Sequence, residues 1–201
     1  MDDHSGMLHN EMLSKKDISL SVVDQSPIRK GGSPREALQE SVELACHVEK
    51  YGYIRYWVSE HHNSSSFSGT SPEILIGQIA AKTKSIRVGS GGVMLSHYSS
   101  LKVAEQFSIL DSFYPGRIDL GIGRAPGSDR RTAAALTYPR PTMDVFRDFP
   151  QMIEDLIGFL GDGVKDDHPL SGIKAHPSEK KSSPEIWLLG SSDYSARLAA
   201  E

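Results

Sequence analysis

Several features that mark particular classes of protein are scarce or absent in this sequence. Its 201 residues include one cysteine, Cys46, which excludes an internal disulfide and fits a reducing compartment. Lysine and arginine are scattered and the formal net charge is -4, so we expect no nucleic-acid partner. No apolar run approaches the length of a membrane span, so we expect no membrane association. These absences predict a cytoplasmic protein.

We predict one domain over residues 18–201, preceded by a disordered leader over residues 1–17 that is polar and has no signal-peptide pattern. Within the domain, five strand-like segments alternate with four complete helices. The strands are predicted at 18–23, in the first part of 53–62, and at 86–95, 117–122 and 184–189; the helices at 34 to about 51, from 72, from 100 to about 114, and at 149–160. Residues 129–150 are predicted to form a helical excursion and loop, and residues 161–183 a long surface loop that could contain a short strand.

The first helix has the clearest local signals. Ser33, Pro34 and Glu36 have the spacing of a capping box at its start, and Gly52 ends it. Its predicted apolar face consists of Leu38, Val42, Ala45 and Val48.

Strict alternation of strands and helices predicts a parallel sheet with right-handed crossovers. No Gly-x-Gly-x-x-Gly sequence follows the first strand, so a dinucleotide-binding sheet is not favoured. Polar residues concentrate where each strand ends, which is where (β/α)₈ (TIM) barrels bind ligands. A closed barrel needs eight strands, and only five are predicted here. The sequence therefore predicts a portion of a longer barrel protein, or a shortened and rearranged relative.

The stretch 53–62 carries the strongest site signal, because a strand-like run ends in Glu60, His61 and His62. Consecutive residues of a strand point to opposite faces, so the two histidines are poorly placed to share a metal ion. An imidazole here could act as a general acid or base, or donate to an anionic ligand. It could equally be a strand-end histidine in a polar network.

Two glycine-containing stretches offer further candidates. The sequence Ser90-Gly91-Gly92 predicts a bulge in the third strand, or a place where bare backbone approaches a ligand. The stretch 190–194, Gly-Ser-Ser-Asp-Tyr, predicts an anion site where a strand meets a helix, or an ordinary helix cap. Arg124, at the end of the fourth strand, would help to bind an anion. Together these features predict a phosphate-bearing ligand at the mouth of a barrel.

The motifs that end the strands are similar to those of one known family. They are Ser-Val-Val-Asp-Gln-Ser-Pro, Trp-Val-Ser-Glu-His-His, Ile-Arg-Val-Gly-Ser-Gly-Gly-Val-Met-Leu-Ser-His-Tyr, Pro-Gly-Arg-Ile-Asp-Leu-Gly-Ile-Gly-Arg-Ala-Pro-Gly and Trp-Leu-Leu-Gly-Ser-Ser. From about residue 18 to the last residue, the chain resembles the bacterial luciferase-like flavin-dependent monooxygenases, in particular the YhbW- and YceB-like branch.

The resemblance implies a TIM barrel that binds reduced FMN supplied by a separate flavin reductase. Oxygen adds to the flavin C4a carbon, and the resulting peroxyflavin oxidises a small organic substrate. The resemblance places His61 beside the reactive flavin edge, with Glu60 and His62 around it. The flavin-binding residues that it implies are the third-strand residues Gly91, Gly92 and Met94, with a cis peptide bond at Gly91–Gly92, and the phosphate-contacting Arg124, Gly190, Ser191, Ser192 and Tyr194.

The sequence also departs from the family pattern. Gly123 stands where luciferase has a reactive cysteine, so luciferase's own chemistry is not implied. The last three β-α units of the family barrel have no counterpart. A non-catalytic flavin-binding protein and an inactive truncated fragment are therefore alternatives to an active enzyme. The deazaflavin F420 is an alternative cofactor, and a homodimer is possible.

Overall fold

The structure is a computed structural model that describes residues 18–124, 128–139, 145–177, 182–191 and 193–200. The predicted leader 1–17 and the predicted site residue Ser192 lie outside the described residues. The strands are β1 (Ser21–Asp24), β2 (Arg55–Val58), β3 (Arg87–Met94), β4 (Ile118–Gly123) and β5 (Glu185–Leu188). The helices are α1 (Pro34–Lys50), α2 (Pro72–Lys82), α3 (Ser100–Phe113), α4 (Arg130–Thr137), α5 (Val145–Leu160) and α6 (Asp193–Leu198), with a 3₁₀ turn at Leu95–His97. No helix in the described part of the chain is long and apolar enough to cross a membrane.

The five strands form one parallel sheet in the order β1-β2-β3-β4-β5. A doubly wound sheet changes direction at a switch point, whereas strands in sequential order with right-handed crossovers have their helices on one side. This is the arrangement of a barrel wall. The predicted parallel sheet is confirmed, and its sequential strand order fits a barrel.

The hydrophobic core lies between the sheet and its helices, because alternate strand residues share one face. The strand residues of the core are Tyr56, Val58, Val88, Val93, Ile118, Leu120 and Ile122, and they pack in one cluster with residues that include Ile76, Ile79, Val103 and Phe107 of α2 and α3. The opposite face, here called the inner face, carries Val23, Trp57, Asp119 and Trp187. Val23 is 60% exposed and Trp187 39% exposed, so the inner face is partly open to solvent.

Charged residues hold the amino-terminal half of the inner face together. Asp119 is wholly buried and accepts hydrogen bonds from Arg55 Nε at 3.0 Å, Arg87 Nε at 2.8 Å and Trp57 Nε1 at 2.9 Å. Glu185 pairs with the same two arginines, at 2.9 Å from Arg55 and 3.2 Å from Arg87. A buried carboxylate needs such donors, because its desolvation is otherwise too costly.

The first helix begins as predicted, and its capping box is present. Ser33 Oγ accepts from the Glu36 backbone N–H at 3.2 Å, and Glu36 Oε2 accepts from the Ser33 N–H at 2.7 Å. Gly52, just beyond the helix, has a φ of +79°, which favours glycine. The predicted apolar face is partly wrong, because Leu38 is 36% exposed while Ser41 is buried.

The fifth helix begins earlier than predicted. It starts at Val145 instead of Phe149, so that Pro150 lies inside it. A proline inside a helix removes a backbone hydrogen bond. Burial of Phe149, Ile153 and Leu156 against the core offsets that loss. The described part of the 161–183 loop contains no strand.

Glu49 joins the end of α1 to the loop before β3. Its Oε1 accepts backbone N–H groups from Lys84 at 2.8 Å, Ser85 at 2.7 Å and Ile86 at 2.9 Å. Partial burial would raise the pKa of Glu49, but these hydrogen bonds outweigh it and lower the pKa from its ordinary 4.5 to about 2.

We predict that Glu49→Ala lowers the free energy of unfolding by about 1–2 kcal/mol at pH 7, because three backbone donors lose their acceptor. Because the pKa of Glu49 is lowered on folding, its contribution is fully present above pH 4.5 and is lost as the pH falls toward 2. Urea unfolding at several pH values measures both effects. Glu43→Ala, an exposed position on the same helix, is the control. Equal stability of the two variants at pH 7 would contradict the prediction.

Candidate active site

A buried carboxylate lies where β2 leaves the sheet. Glu60 is wholly buried, and its Oε1 lies 2.6 Å from His62 Nε2. The Tyr98 hydroxyl donates to the same oxygen at 2.7 Å, and the Met94 backbone N–H donates to Oε2 at 3.0 Å. The ends of β2 and β3 and the 3₁₀ turn that follows β3 therefore meet at one carboxyl group.

The surroundings of Glu60 also affect neighbouring acids. Burial, and next the negative charge of Glu60, raises the pKa of the Tyr98 hydroxyl well above its usual range. Tyr98 therefore stays protonated and acts as a hydrogen-bond donor. Burial likewise raises the pKa of Glu73, and the charge of Glu60 adds to this effect.

The two histidines have separate surroundings, although both lie beyond the end of β2 and not in the strand as predicted. His62 contacts Glu60, whereas the His61 ring stacks on Phe67 with centroids 4.9 Å apart. The His61 Nδ1 lies 3.4 Å from Ser59 Oγ. The structure thus brings Glu60 and His62 into one network and holds His61 outside it. No group of three or more His, Cys, Asp or Glu side chains in the described ranges could hold a metal ion.

A cleft of about 840 Å³ opens beside His62, and we call it the mouth cleft. It lies between the loop after β2 and the start of α4, and its other lining residues are Asn63, Asp129, Arg131, Thr132, Ala135 and Leu136. Asn63 Nδ2 donates to Asp129 Oδ2 at 3.2 Å, which ties the two loops together. Hydrogen bonds from Thr132 and then Asn63 hold the pKa of Asp129 well below its usual range.

The glycines of β3 have two different roles. A Cβ at Gly89 would lie 2.5 Å from Asp119, and one at Gly92 would lie 2.8 Å from the Gly121 carbonyl oxygen, so the close approach of β4 requires glycine there. A Cβ at Gly91 would instead lie 3.3 Å from Trp57 and 3.6 Å from Val23 on the inner face. Gly91 thus leaves bare backbone on that face.

Two expectations for β3 are confirmed. The register with β4 shifts between Ser90 and Val93, which is the predicted bulge, and the Gly91–Gly92 peptide bond is cis. Met94 contributes its backbone N–H to Glu60, while its thioether covers Gly123, where a Cβ would lie 2.8 Å from Met94 Cε.

The ends of β4 and β5 also come together. The Arg124 guanidinium lies 4.2 Å from the centroid of the Tyr194 ring at the start of α6. This approach depends on Gly190, where a Cβ would lie 2.4 Å from Ser195 Cβ. Ser191, which lies between Gly190 and Tyr194 in the sequence, is exposed. The predicted phosphate-contacting residues Arg124, Gly190, Ser191 and Tyr194 therefore lie at one edge of the sheet.

Three residues of this region were not predicted. Tyr98 could have been found, because it lies beyond the end of β3, as Glu60 lies beyond the end of β2. Asn63 and Asp129 are 66 positions apart, and no local signal connects them.

Comparisons with known proteins cover the domain predicted at residues 18–201. Residues 18–201 match the family described as luciferase-like monooxygenase. The protein YceB of Bacillus subtilis (strain 168) is 49% identical over 183 residues, which cover 91% of this chain and 54% of YceB. The N-acetyl-S-alkylcysteine monooxygenase of the same organism is 45% identical over 186 residues, which cover 92% of this chain and 54% of that protein. The chain thus spans about half the length of the curated relatives it matches.

Solved structures share the fold. Apo-MsnO8 is 44% identical with a TM-score of 0.80, over 91% of this chain and 53% of that one. A second structure is the oxygenating constituent of 3,6-diketocamphane monooxygenase of Pseudomonas putida, a type II Baeyer–Villiger monooxygenase in complex with FMN. It is 21% identical with a TM-score of 0.70, over 90% of this chain and 54% of that one. These matches confirm the predicted fold class, a five-stranded part of a TIM barrel.

We predict that Gly190→Ala lowers the free energy of unfolding by about 1–3 kcal/mol, because the new methyl group overlaps Ser195 and displaces α6. Gly77→Ala is the matched control. Its Cβ would lie 3.5 Å from Leu110, an ordinary contact, and alanine stabilises a helix interior by about 0.5–1 kcal/mol relative to glycine. Chemical denaturation compares the two variants. If Gly190→Ala were as stable as Gly77→Ala, the close approach of α6 would be refuted.

Proposed function

The chain belongs to the luciferase-like monooxygenase family, and from this premise we propose that it binds reduced FMN as part of an enzyme that oxidises a small organic substrate with O₂. The observation that carries the proposal is the bare backbone at Gly91 on the inner face. Gly91 is partly exposed there beside Trp57 and Val23, and we propose that the flavin ring rests over it.

The described residues fit both ends of FMN. The isoalloxazine ring is flat and apolar over most of its area, which matches Gly91 and Trp57. The phosphate needs cationic and hydroxyl partners, and Arg124 and Ser191 would supply them. The Arg124–Tyr194 contact orders the guanidinium before any ligand arrives, which reduces the entropy lost on binding. We place Gly92, Met94 and Gly190 in the same site as its backbone support, together with Ser192 of the same stretch.

Bound reduced flavin supplies the electrons with which O₂ is activated. The residues proposed to handle protons are His61, at its ring nitrogens, and the Glu60–His62 pair. We propose that His62 donates from Nε2 to Glu60 Oε1, because the carboxyl oxygens of Glu60 also accept from Tyr98 and Met94. We propose a separate flavin reductase and a second copy of the chain as partners.

A flavin-binding role without turnover is a second candidate. It is favoured by the exposure of Val23 and Trp187, since an open inner face admits water to the ring. F420 has a similar flat ring and enters the binding test as a competing cofactor.

We predict that the chain binds FMN saturably and that Arg124→Ala weakens binding about tenfold, the effect of losing a charge-assisted hydrogen bond to phosphate. Arg130→Ala, an exposed arginine on α4, should change the dissociation constant less than about twofold by the same reasoning. Fluorescence titration with oxidised FMN and anaerobic absorbance titration with reduced FMN measure both variants.

The same titration with riboflavin, which lacks the phosphate, is the control for the ligand. Arg124→Ala should leave riboflavin binding unchanged. Absence of FMN binding by a folded chain would overturn the proposal. Tighter binding of F420 than of FMN would replace the cofactor. Binding of reduced FMN followed by its oxidation in air, without oxidation of any added substrate, would favour the second candidate.

A further inference from the structure

We infer that the mouth cleft binds the substrate, and that this substrate is a small amphiphilic carboxylic acid with an N–H group, such as an N-acylated amino acid. The inference rests on the proposed function, since it names the substrate class of that enzyme. Three features of the described residues support it: the ring of His62, whose Nε2 is taken up by Glu60, a cation at Arg131, and an apolar wall at Ala135 and Leu136.

The acceptor nitrogen follows from the hydrogen bonds of Glu60. The Met94 backbone N–H can only donate, so it fixes Glu60 Oε2 as an acceptor. The other oxygen, Oε1, accepts from Tyr98 and faces His62 Nε2 at 2.6 Å. With both oxygens accepting, Nε2 is the ring nitrogen that donates to Oε1, and in the neutral ring Nδ1 is then an acceptor. Among the described residues, Nδ1 has no hydrogen-bond partner, and His62 lines the cleft.

The charges of the cleft favour an anion. Asp129 is negative, but its carboxylate already accepts from the backbone N–H groups of Arg131 and Thr132, from Thr132 Oγ1 and from Asn63 Nδ2. The Asp129 oxygens are thus occupied. Arg130 and Arg131 follow it directly, so this turn has a net positive charge. Arg131 lines the cleft and its exposed side chain has no ion pair with the described residues.

The apolar wall sets the third requirement. Ala135 and Leu136 lie one turn further along α4 than Arg131 and Thr132, on the same side of the cleft. A ligand whose carboxylate meets Arg131 can therefore lay an alkyl or thioether group along α4 while its N–H donates to His62 Nδ1. Asn63, fixed by Asp129, closes the end of the cleft near His62.

Tyr98 and Glu60 are positioning residues in this scheme, because they act through His62. Replacing Glu60 by glutamine tests this directly. The Met94 N–H requires the amide oxygen in the place of Oε2, which leaves the amide NH₂ facing His62 Nε2. The proton must then move to Nδ1, and the acceptor in the cleft is lost.

The test measures binding of three probes to the purified chain by calorimetry, with and without saturating FMN. The probes are N-acetyl-S-methylcysteine, its methyl ester, and the analogue in which an ester oxygen replaces the N–H. We expect Arg131→Gln to weaken binding of the free acid about tenfold and to leave the methyl ester unchanged. Arg130→Gln, the neighbouring exposed arginine, is the control and should change neither.

Glu60→Gln provides an independent arm. It should reduce the affinity for N-acetyl-S-methylcysteine to that for the oxygen analogue, and leave the oxygen analogue unaffected. Nitrogen NMR of the His62 ring should show Nε2–H in the wild type and Nδ1–H in Glu60→Gln, with His62→Gln identifying the signal.

Several results would overturn the inference: no binding of the acid in either condition, equal binding of acid and ester, or equal effects of the two arginine variants. A hydrogen on His62 Nδ1 in the wild type, in a neutral or a protonated ring, would also overturn it. The binding and NMR measurements do not depend on turnover. A chain that binds the acid but not FMN would therefore refute the proposed function and leave only an acid-binding cleft. A chain that binds FMN but not the acid would overturn this inference alone.

Discussion

The carboxylate of Glu60 is the constraint on which the carboxyl edge of the sheet depends. An ion without access to water is tolerated only where donors replace its hydration. The donors come from the Met94 backbone, the Tyr98 hydroxyl and the His62 ring, which follow two different strands. Satisfying one charge therefore fixes the relative positions of the loop after β2, the end of β3 and the 3₁₀ turn. The mouth cleft is bounded by the first of these segments.

The shape of β3 makes that arrangement possible. Between Ser90 and Val93 the strand has one residue more than β4 opposite it, and such a bulge redirects the residues that follow. Met94 keeps its place opposite Gly123 of β4, and its N–H donates to Glu60. The glycines serve the same end, because Gly89 and Gly92 let β4 approach while Gly91 leaves the inner face flat. One local irregularity thus shapes both the proposed ring site and the polar network.

Local chemistry made much of this fold predictable, and long-range contacts set the limit. The capping box of Ser33 and Glu36 and the turn at Gly52 depend on neighbouring residues, so the sequence predicted them correctly. The predicted start of α5 was wrong, because tertiary burial overrides the tendency of Pro150 to interrupt a helix. The Glu60–Tyr98 bond spans 38 positions, and only its members' places at strand ends could have suggested it.

The inner face shows how stability and binding are divided between two halves of one surface. Toward the amino ends of the strands, Asp119 and Glu185 each pair with both Arg55 and Arg87, so the charges of that layer are balanced within five strands. Toward the carboxyl ends the surface is apolar and partly open at Trp187. Covering apolar area is favourable by about 25 cal/mol per Å², whether a ring or further protein covers it. The charge-balanced layer at the amino ends of the strands therefore supports the apolar layer at their carboxyl ends, which needs a covering partner. A flat ligand and the rest of a barrel would compete for this open face or share it.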